Sequence, residues 1–555
     1  MKNKKQIIIF VIMIIAINLL ATQFFFRTDL TENNRYTLSE TSKNIVNQSE
    51  NPVIVEVFLK GDFPSEFKRL QNETRYILEE YETVNSNIKF DFINPLESGK
   101  NAETVANEFY QSGMMPETIN VTENGKVTET IFFPWAVATY DGKSVQIPLL
   151  KRKIGDNNEQ IVNASVENLE YAFSDAFSKV INGRSKKIAV MRGNGELPDR
   201  NLTDFLQGLR EYYFIAPFTL DSVAKHPEKT LEELEKFDLV IEAKPTEKFS
   251  ESEKLVLDQY VMKGGKMLWL VDQVAMEKDS LFTNVDNSAL AYIRDLNLND
   301  FFFSYGVRIN TALVNDMVSA PIVLAQGSGN QTRYNPFPWF YSPLAVSNQE
   351  HQINNNIEAV KFDFATAIDT LKNNIGKKVL LHSSPKSYLE GVPTIVKLDK
   401  IKEQPDLEKY NAGKQNLAVL LEGEFTSVYN NRILPFEFEN YQNQGKATKM
   451  IVVADGDVIK NEFSRQGPIP LGYDRYTATT YGNKEFLMNS VNYLLDDTGL
   501  LNIRGKEVKL AFLNTEKVAQ NRTSWQLFNL LLPIILLLLF GFIFYTIRRK
   551  KYIKN

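Results

Sequence analysis

The sequence predicts an α/β protein with two sheet-bearing domains held between two apolar terminal helices. Three observations carry this: uncharged apolar runs confined to the two ends, short apolar strand runs alternating with helical spacing between them, and glycine or Asx turns at the junctions. The 555 residues are 43% hydrophobic and 24% charged, which is a globular composition. The net charge of −5 offers no basic excess, so nucleic acid is excluded as an expected partner. A mean hydropathy of −0.26 requires the apolar excess to be local.

Residues 1–6 form a lysine-bearing tail, and Ile7 to Phe26 follows without a charge. Leu527 to Ile547 is a second uncharged run, and 548–555 is a basic tail. At about 1.5 Å per helical residue, each run spans roughly the 30 Å hydrocarbon core of a lipid bilayer. Pro533 is read near the entry of the second helix, where a missing N–H costs least. Lys2, Lys4 and Lys5 on one side, and Arg548, Arg549, Lys550, Lys551 and Lys554 on the other, place both termini in the cytoplasm by the positive-inside rule. Residues 27–526 are then expected outside the cytoplasm. A cleaved signal peptide is the rival reading of the first run; its length and the lack of an A-x-A site favour retention. There is no cysteine, so disulfides and thiol chemistry are excluded.

The first domain is read over 36–150. Val53–Leu59 is a buried-strand run, 66–84 places Phe67, Leu70, Ile77, Leu78 and Tyr81 on one helical side, and Ile88–Ile93 alternates as a strand. A helix over 102–111 follows. Asn124-Gly125 and Asp141-Gly142 mark two hairpins. This order suggests a thioredoxin-like domain, with Pro116 at the place where such folds often carry a cis-proline. Residues 151–185 read as a helical connector.

The second domain, 186–500, opens on the strand Lys187–Met191 and the turn Gly193-Asn194-Gly195-Glu196. Further strands are read at 237–241, 266–272, 378–382, 417–422 and 450–454. Ser250 and Glu253 make a capping-box pattern, and Gly264-Gly265 stops that helix. Alternating strands and helices imply a doubly wound parallel sheet. An irregular insertion is expected near 273–376, and 501–526 reads as a juxtamembrane segment.

Catalytic motifs are scarce. Gly142-Lys143-Ser144 has Val137 where a phosphate-binding P-loop needs glycine. The three histidines, His226, His351 and His382, follow no metal-ligand spacing. No G-x-S-x-G elbow occurs. Neither a cofactor nor a metal is expected. Four features remain as candidates. Asp455-Gly456-Asp457 reads as a divalent-cation turn or a strand-end turn; calcium's ~6–8 oxygens favour the latter. Gly193, Asn194, Gly195 and Glu196 lie where doubly wound sheets bind ligands, or form a tight turn needing glycine. Gly264-Gly265 is a helix stop. The aromatics from Phe337 to Tyr341, including Trp339 and Tyr341, form a partner surface, a glycan platform or a core plug.

Several stretches in order resemble one family. They are Asn51–Leu59 (NPVIVEVFL), Gly193–Glu196 (family turn G-H-G-E, here with Asn194 for histidine), and Lys263–Asp272 (KGGKMLWLVD). Tyr305–Ile309 with Leu313–Asp316, Leu421–Ser427 (LEGEFTS), Val453–Asp457 and Asn483–Asn492 complete the set. With the two terminal runs, this order is similar to the gliding-motility-associated ABC transporter auxiliary proteins of the GldG type, within the ABC-2-type auxiliary family. The resemblance implies a non-enzymatic subunit in the bacterial inner (cytoplasmic) membrane with its outer domains periplasmic. Its implied partners are an ABC permease subunit, a cytoplasmic ATPase and the lipid bilayer, with a substrate or an envelope glycan or protein outside. The second domain also resembles glutaminase-like or flavodoxin-like sheets; a class I glutaminase needs a cysteine, so a binding use is implied. The alternatives are an envelope glycan-binding module, or a hydrolase using Glu196, Asp455 and Asp457, whose carboxylates would need a separation of ~5–9.5 Å.

Overall fold

The computed structural model describes residues 37–495 and 521–552, with isolated residues 13 and 499, apart from 62, 100, 124–125, 152–156, 184, 328–332, 348–350, 356 and 465–466. The chain separates into two compact units, 1–506 and 507–555. The first is mixed α/β.

Its N-terminal part is built on a four-stranded sheet in the order β2-β1-β5-β6. Here β1 is Val53–Val57, β2 Ile88–Phe92, β3 Glu117–Glu123, β4 Lys126–Phe132, β5 Trp135–Tyr140 and β6 Lys143–Pro148. Strands β1 and β2 are parallel because the helix Ser65–Val84 carries the chain back between them. Strands β5 and β6 close as a hairpin, with β5 antiparallel to β1. Alternation along β1 buries Val53, Val55 and Val57 and exposes Ile54. Among the described residues, strands β3 and β4 pair only with each other.

Two expectations are corrected in this region. The helix Asn158–Asn182, read as a connector, packs Val162, Leu169, Phe173 and Phe177 into the same core as β1 and Tyr81. Its apolar face serves the first domain's core, while its Asp175 and Lys179 reach Tyr212 and Glu211 of the second. The peptide bond before Pro116 is trans; among the described residues the cis bond is Val392–Pro393.

The C-terminal part is built on a nine-stranded sheet. Strands β7 (Lys187–Arg192), β8 (Phe214–Thr219), β9 (Leu239–Ala243) and β10 (Lys266–Leu270) run parallel in the order β10-β9-β7-β8. The strand Gln444–Val453 lies parallel beside β10. Beyond it the direction changes: Asn416–Thr426 runs antiparallel to 444–453, and Gly376–His382 antiparallel to 416–426. The sheet is therefore mixed. A connection of only seventeen residues joins 416–426 to 444–453, with no crossover helix among them, and such a link favours an antiparallel return. Strand β9 is buried along its whole length, as expected for a central strand covered on both faces. One face packs the helix Glu251–Met262 through Leu255, Val256 and Tyr260; the other packs Asn483–Leu495 through Phe486, Leu487 and Val491.

Among its described residues, the stretch 273–376 forms a succession of strands rather than the irregular insertion expected. Val307–Asp316 pairs with Thr366–Thr370 and Ser387–Gly391, and Ser288–Ile293 pairs with Thr394–Lys397. These partners lie far apart in sequence, so local periodicity does not reveal them.

The second unit contains the helix Arg522–Tyr552. Within it, Arg522–Lys550 is long and apolar enough to cross a membrane, its most apolar 18 residues having a mean hydropathy of 2.8. Because the helix begins at Arg522, Pro533 lies inside it rather than near its entry. The N-terminal apolar run 7–26 lies outside the described residues apart from Met13.

Candidate functional site

The carboxyl ends of the adjacent parallel strands 444–453, β10, β9 and β7 bring four loops side by side. Open α/β sheets place ligand sites at such an edge. The loops carry, in that order, Asp455 and Asp457, Asp272, Lys244, and the turn Gly193–Glu196.

Lys244 is 2% exposed and adopts a left-handed backbone, with φ of 59°. Its ammonium lies 2.7 Å from Asp457, 2.9 Å from Glu277 and 3.3 Å from Asp272. Burial disfavours its charge, but the three carboxylates more than offset this and hold the ammonium well above its ordinary range. Ligand oxygens of Asp272, Asp455 and Asp457 lie within 4.8 Å of one another, so these three carboxylates could together hold a metal ion. Lys244 already contacts two of the three. Asp455 is fully buried; it accepts from the backbone N–H groups of Asp363 (2.6 Å) and Asp457 (2.7 Å). Burial first, and then Asp272 and Asp457, push its carboxyl far up. Gly456 lets the turn press against Lys244, since a Cβ there would come within 2.5 Å of the lysine Cβ.

The turn after β7 is locked to the loop after β9. The Asn194 carbonyl accepts from the N–H groups of Thr246 and Glu247, both at 2.9 Å. Gly195 has φ of 73°, and a Cβ on it would lie 2.2 Å from the Thr246 hydroxyl, so only glycine fits. Gly193 is exposed with φ of 119°. Glu196 accepts from the Asn194 N–H at 3.0 Å, while its other oxygen is buried without a hydrogen-bond partner. Its charged neighbours are Glu242 and Arg192, whereas Asp455 and Asp457 answer to Asp272 and Lys244. The carboxylates proposed as a hydrolytic set thus fall into separate clusters.

Trp339 and Tyr341 are each 2% exposed and pack with Phe364, Val274 and Leu313 in a core cluster. Their rings fill space between strands and present no open face. The Tyr341 hydroxyl donates to Glu390 at 2.6 Å. They are corrected here from a candidate binding surface to core packing.

Sequence reasoning missed Lys244, Asp272 and Glu277. The signal was a charged residue within two positions of a buried strand's end, at two adjacent strands. It also missed a cleft of about 960 Å³ next to Asp457, lined by Lys278, Lys361, Asp363, Lys460, Tyr334 and Tyr476 among others.

With this geometry in place, relatives can be compared. Residues 185–490, more than half of the chain, match the family described as "ABC-type uncharacterized transport system". The chain belongs to this family of ABC-transporter-associated auxiliary proteins. Residues 32–139 match a domain of unknown function, DUF7088. A Borreliella burgdorferi protein described as uncharacterized is 18% identical over 535 residues, covering 95% of this chain and 94% of that one. Among solved structures, the mmIFT52 N-terminal domain aligns with 15% identity over 56% of this chain and 99% of that domain, at a TM-score of 0.32.

Proposed function

We propose that the protein is a non-enzymatic auxiliary subunit of an ABC transporter, anchored in the bacterial inner membrane, that works with a permease and a cytoplasmic ATPase. Its extracytoplasmic domains hold a ligand or envelope partner, and the transporter serves gliding motility, as in the GldG-type proteins. The observation that carries the reading is the state of the strand-end edge. There the Lys244 ammonium is held by Asp272, Glu277 and Asp457, an ion cluster that ties the loops to one another. The apolar helix Arg522–Tyr552 and the family membership support the membrane and transporter parts. In the same reading the N-terminal sheet is a thioredoxin-like variant, and the parallel half of the second sheet is a doubly wound core used for binding.

The test is a mild-detergent pull-down of the tagged full chain with mass spectrometry. A permease and an ATPase recovered in fixed ratio are expected. Recovery of the chain alone, or with envelope proteins only, overturns the transporter assignment and leaves an envelope-binding module.

A further inference from the structure

The cleft beside Asp457 has a chemistry of its own. Lys361 is only 12% exposed, yet its carboxylate contacts are Asp363 at 3.7 Å and Glu462 at 3.9 Å. Lys278 lies 3.6 Å from the same Asp363, and Lys460 lies 3.7 Å from Asp457 and 3.9 Å from Asp279. A charge-assisted N–H···O bond is about 2.8 Å long, so these are loose pairs.

Of the acids concerned, Asp457 and Asp363 are shared among several donors, while Asp279 and Glu462 are exposed to water. Asp457 accepts from Lys244 at 2.7 Å, and Asp363 accepts the Ser342 hydroxyl while serving both Lys278 and Lys361. Asp279 is 86% exposed and leaves Lys460 little competition for an incoming anion. Three ammonium groups therefore line one cleft with donor capacity to spare. The same cleft is lined by Tyr334 and Tyr476, 55% and 43% exposed, with ring centroids 4.9 Å apart. Arg475 lies over the Tyr476 ring at 4.7 Å, so the half-exposed Tyr334 ring and the rim of Tyr476 are what the cleft offers to the flat or apolar body of a ligand.

We propose that this cleft binds a ligand carrying a phosphate or carboxylate on a ring or acyl body. Lys278, Lys361 and Lys460 hold the anion, and Tyr334 and Tyr476 pack the body. The proposal rests on reading the outer domain as a binding module. It is separable from the transporter assignment, since the pull-down reports partners and a titration reports the ligand.

The experiment is calorimetry on the purified full chain in neutral detergent micelles. The probes are glucose 6-phosphate, inorganic phosphate, glucose, and short-chain phosphatidylglycerol against phosphatidylcholine. Saturable binding of the anionic member of either pair, with the neutral member at least about tenfold weaker, is expected. Preference for the sugar phosphate assigns a soluble source, and preference for phosphatidylglycerol a lipid headgroup. The double variant Lys278→Gln/Lys460→Gln alters two partly exposed side chains and is expected to fold with an unchanged Tm. Its affinity should fall by at least about tenfold, while a Lys248→Gln control leaves affinity unchanged. No saturable binding of any anionic probe, or equal affinity in the folded double variant, overturns the proposal.

Discussion

Two ionisable residues at the end of one strand meet opposite treatment. Glu242 lies in β9 and Lys244 just past its end; both are almost fully buried. Lys244 faces three carboxylates. Neither carboxyl oxygen of Glu242 has a hydrogen-bond partner, and the indole N–H of Trp269, its cross-strand neighbour, has none either. A buried charge survives when paired; an unpaired acid keeps its proton instead. Burial, and then Glu196, push the Glu242 carboxyl well above the usual carboxylate range. One strand end thus carries a charged cluster and a neutral acid, separated by a single residue.

The largest effect is expected from Lys244→Met. It strands Asp272 without its counter-charge and removes the nearest one from Asp457, and chemical denaturation should show a loss of about 3–5 kcal/mol. In Lys244→Ala, millimolar Ca²⁺ should recover part of the stability through the three clustered aspartates while leaving wild type unmoved; no recovery would show that these carboxylates accept only the lysine. Gly456→Ala comes next. The added Cβ meets Lys244 within 2.5 Å, and the overpacking should cost about 1–3 kcal/mol in the same assay.

Glu242→Gln should change a slope rather than a level. Because the folded carboxyl has a raised pKa, its contribution is full below the unfolded value of about 4.3 and is lost as pH rises through the folded value. The variant should lose less stability with rising pH than wild type; equal slopes would mean that Glu242 has a partner. Asp363 titrates in the opposite sense. Burial opposes its charge, but Lys278 and Lys361 bring it down to about 2. Its contribution is present above the unfolded value of about 3.9 and is lost as pH falls toward about 2. The smallest effect belongs to Lys248→Ala. Lys248 pairs with Asp295 at 2.7 Å, but the two side chains are 60% and 69% exposed, and thermal denaturation should shift by no more than about 0.5 kcal/mol.

Much of the local structure was legible in residue order. Val53–Val57, Lys187–Arg192 and Lys266–Leu270 are short apolar runs ended by turns, and each forms a strand. Ser250 and Glu253 form the capping box that their spacing implied. The aromatic run around Trp339 was ambiguous because its exposure depends on Val274 and Phe364, which arrive from distant parts of the chain. The core role of the helix Asn158–Asn182 was not legible, because amphipathic spacing says that one face is buried, but not against which domain. Asp455 and Asp457 were visible as a pair, while their partner Lys244 was not.

The sequence by itself determined the two uncharged terminal runs, the absence of thiol chemistry, and the turns that only glycine can make, since each depends on neighbours a few residues away. Only the tertiary structure decided which charges meet. Lys244 and Asp457 are 213 residues apart, and strand order in the sheet brings them to 2.7 Å. A buried ion pair needs both partners withdrawn from water together, and that condition is set by strand order rather than by any local stretch of chain.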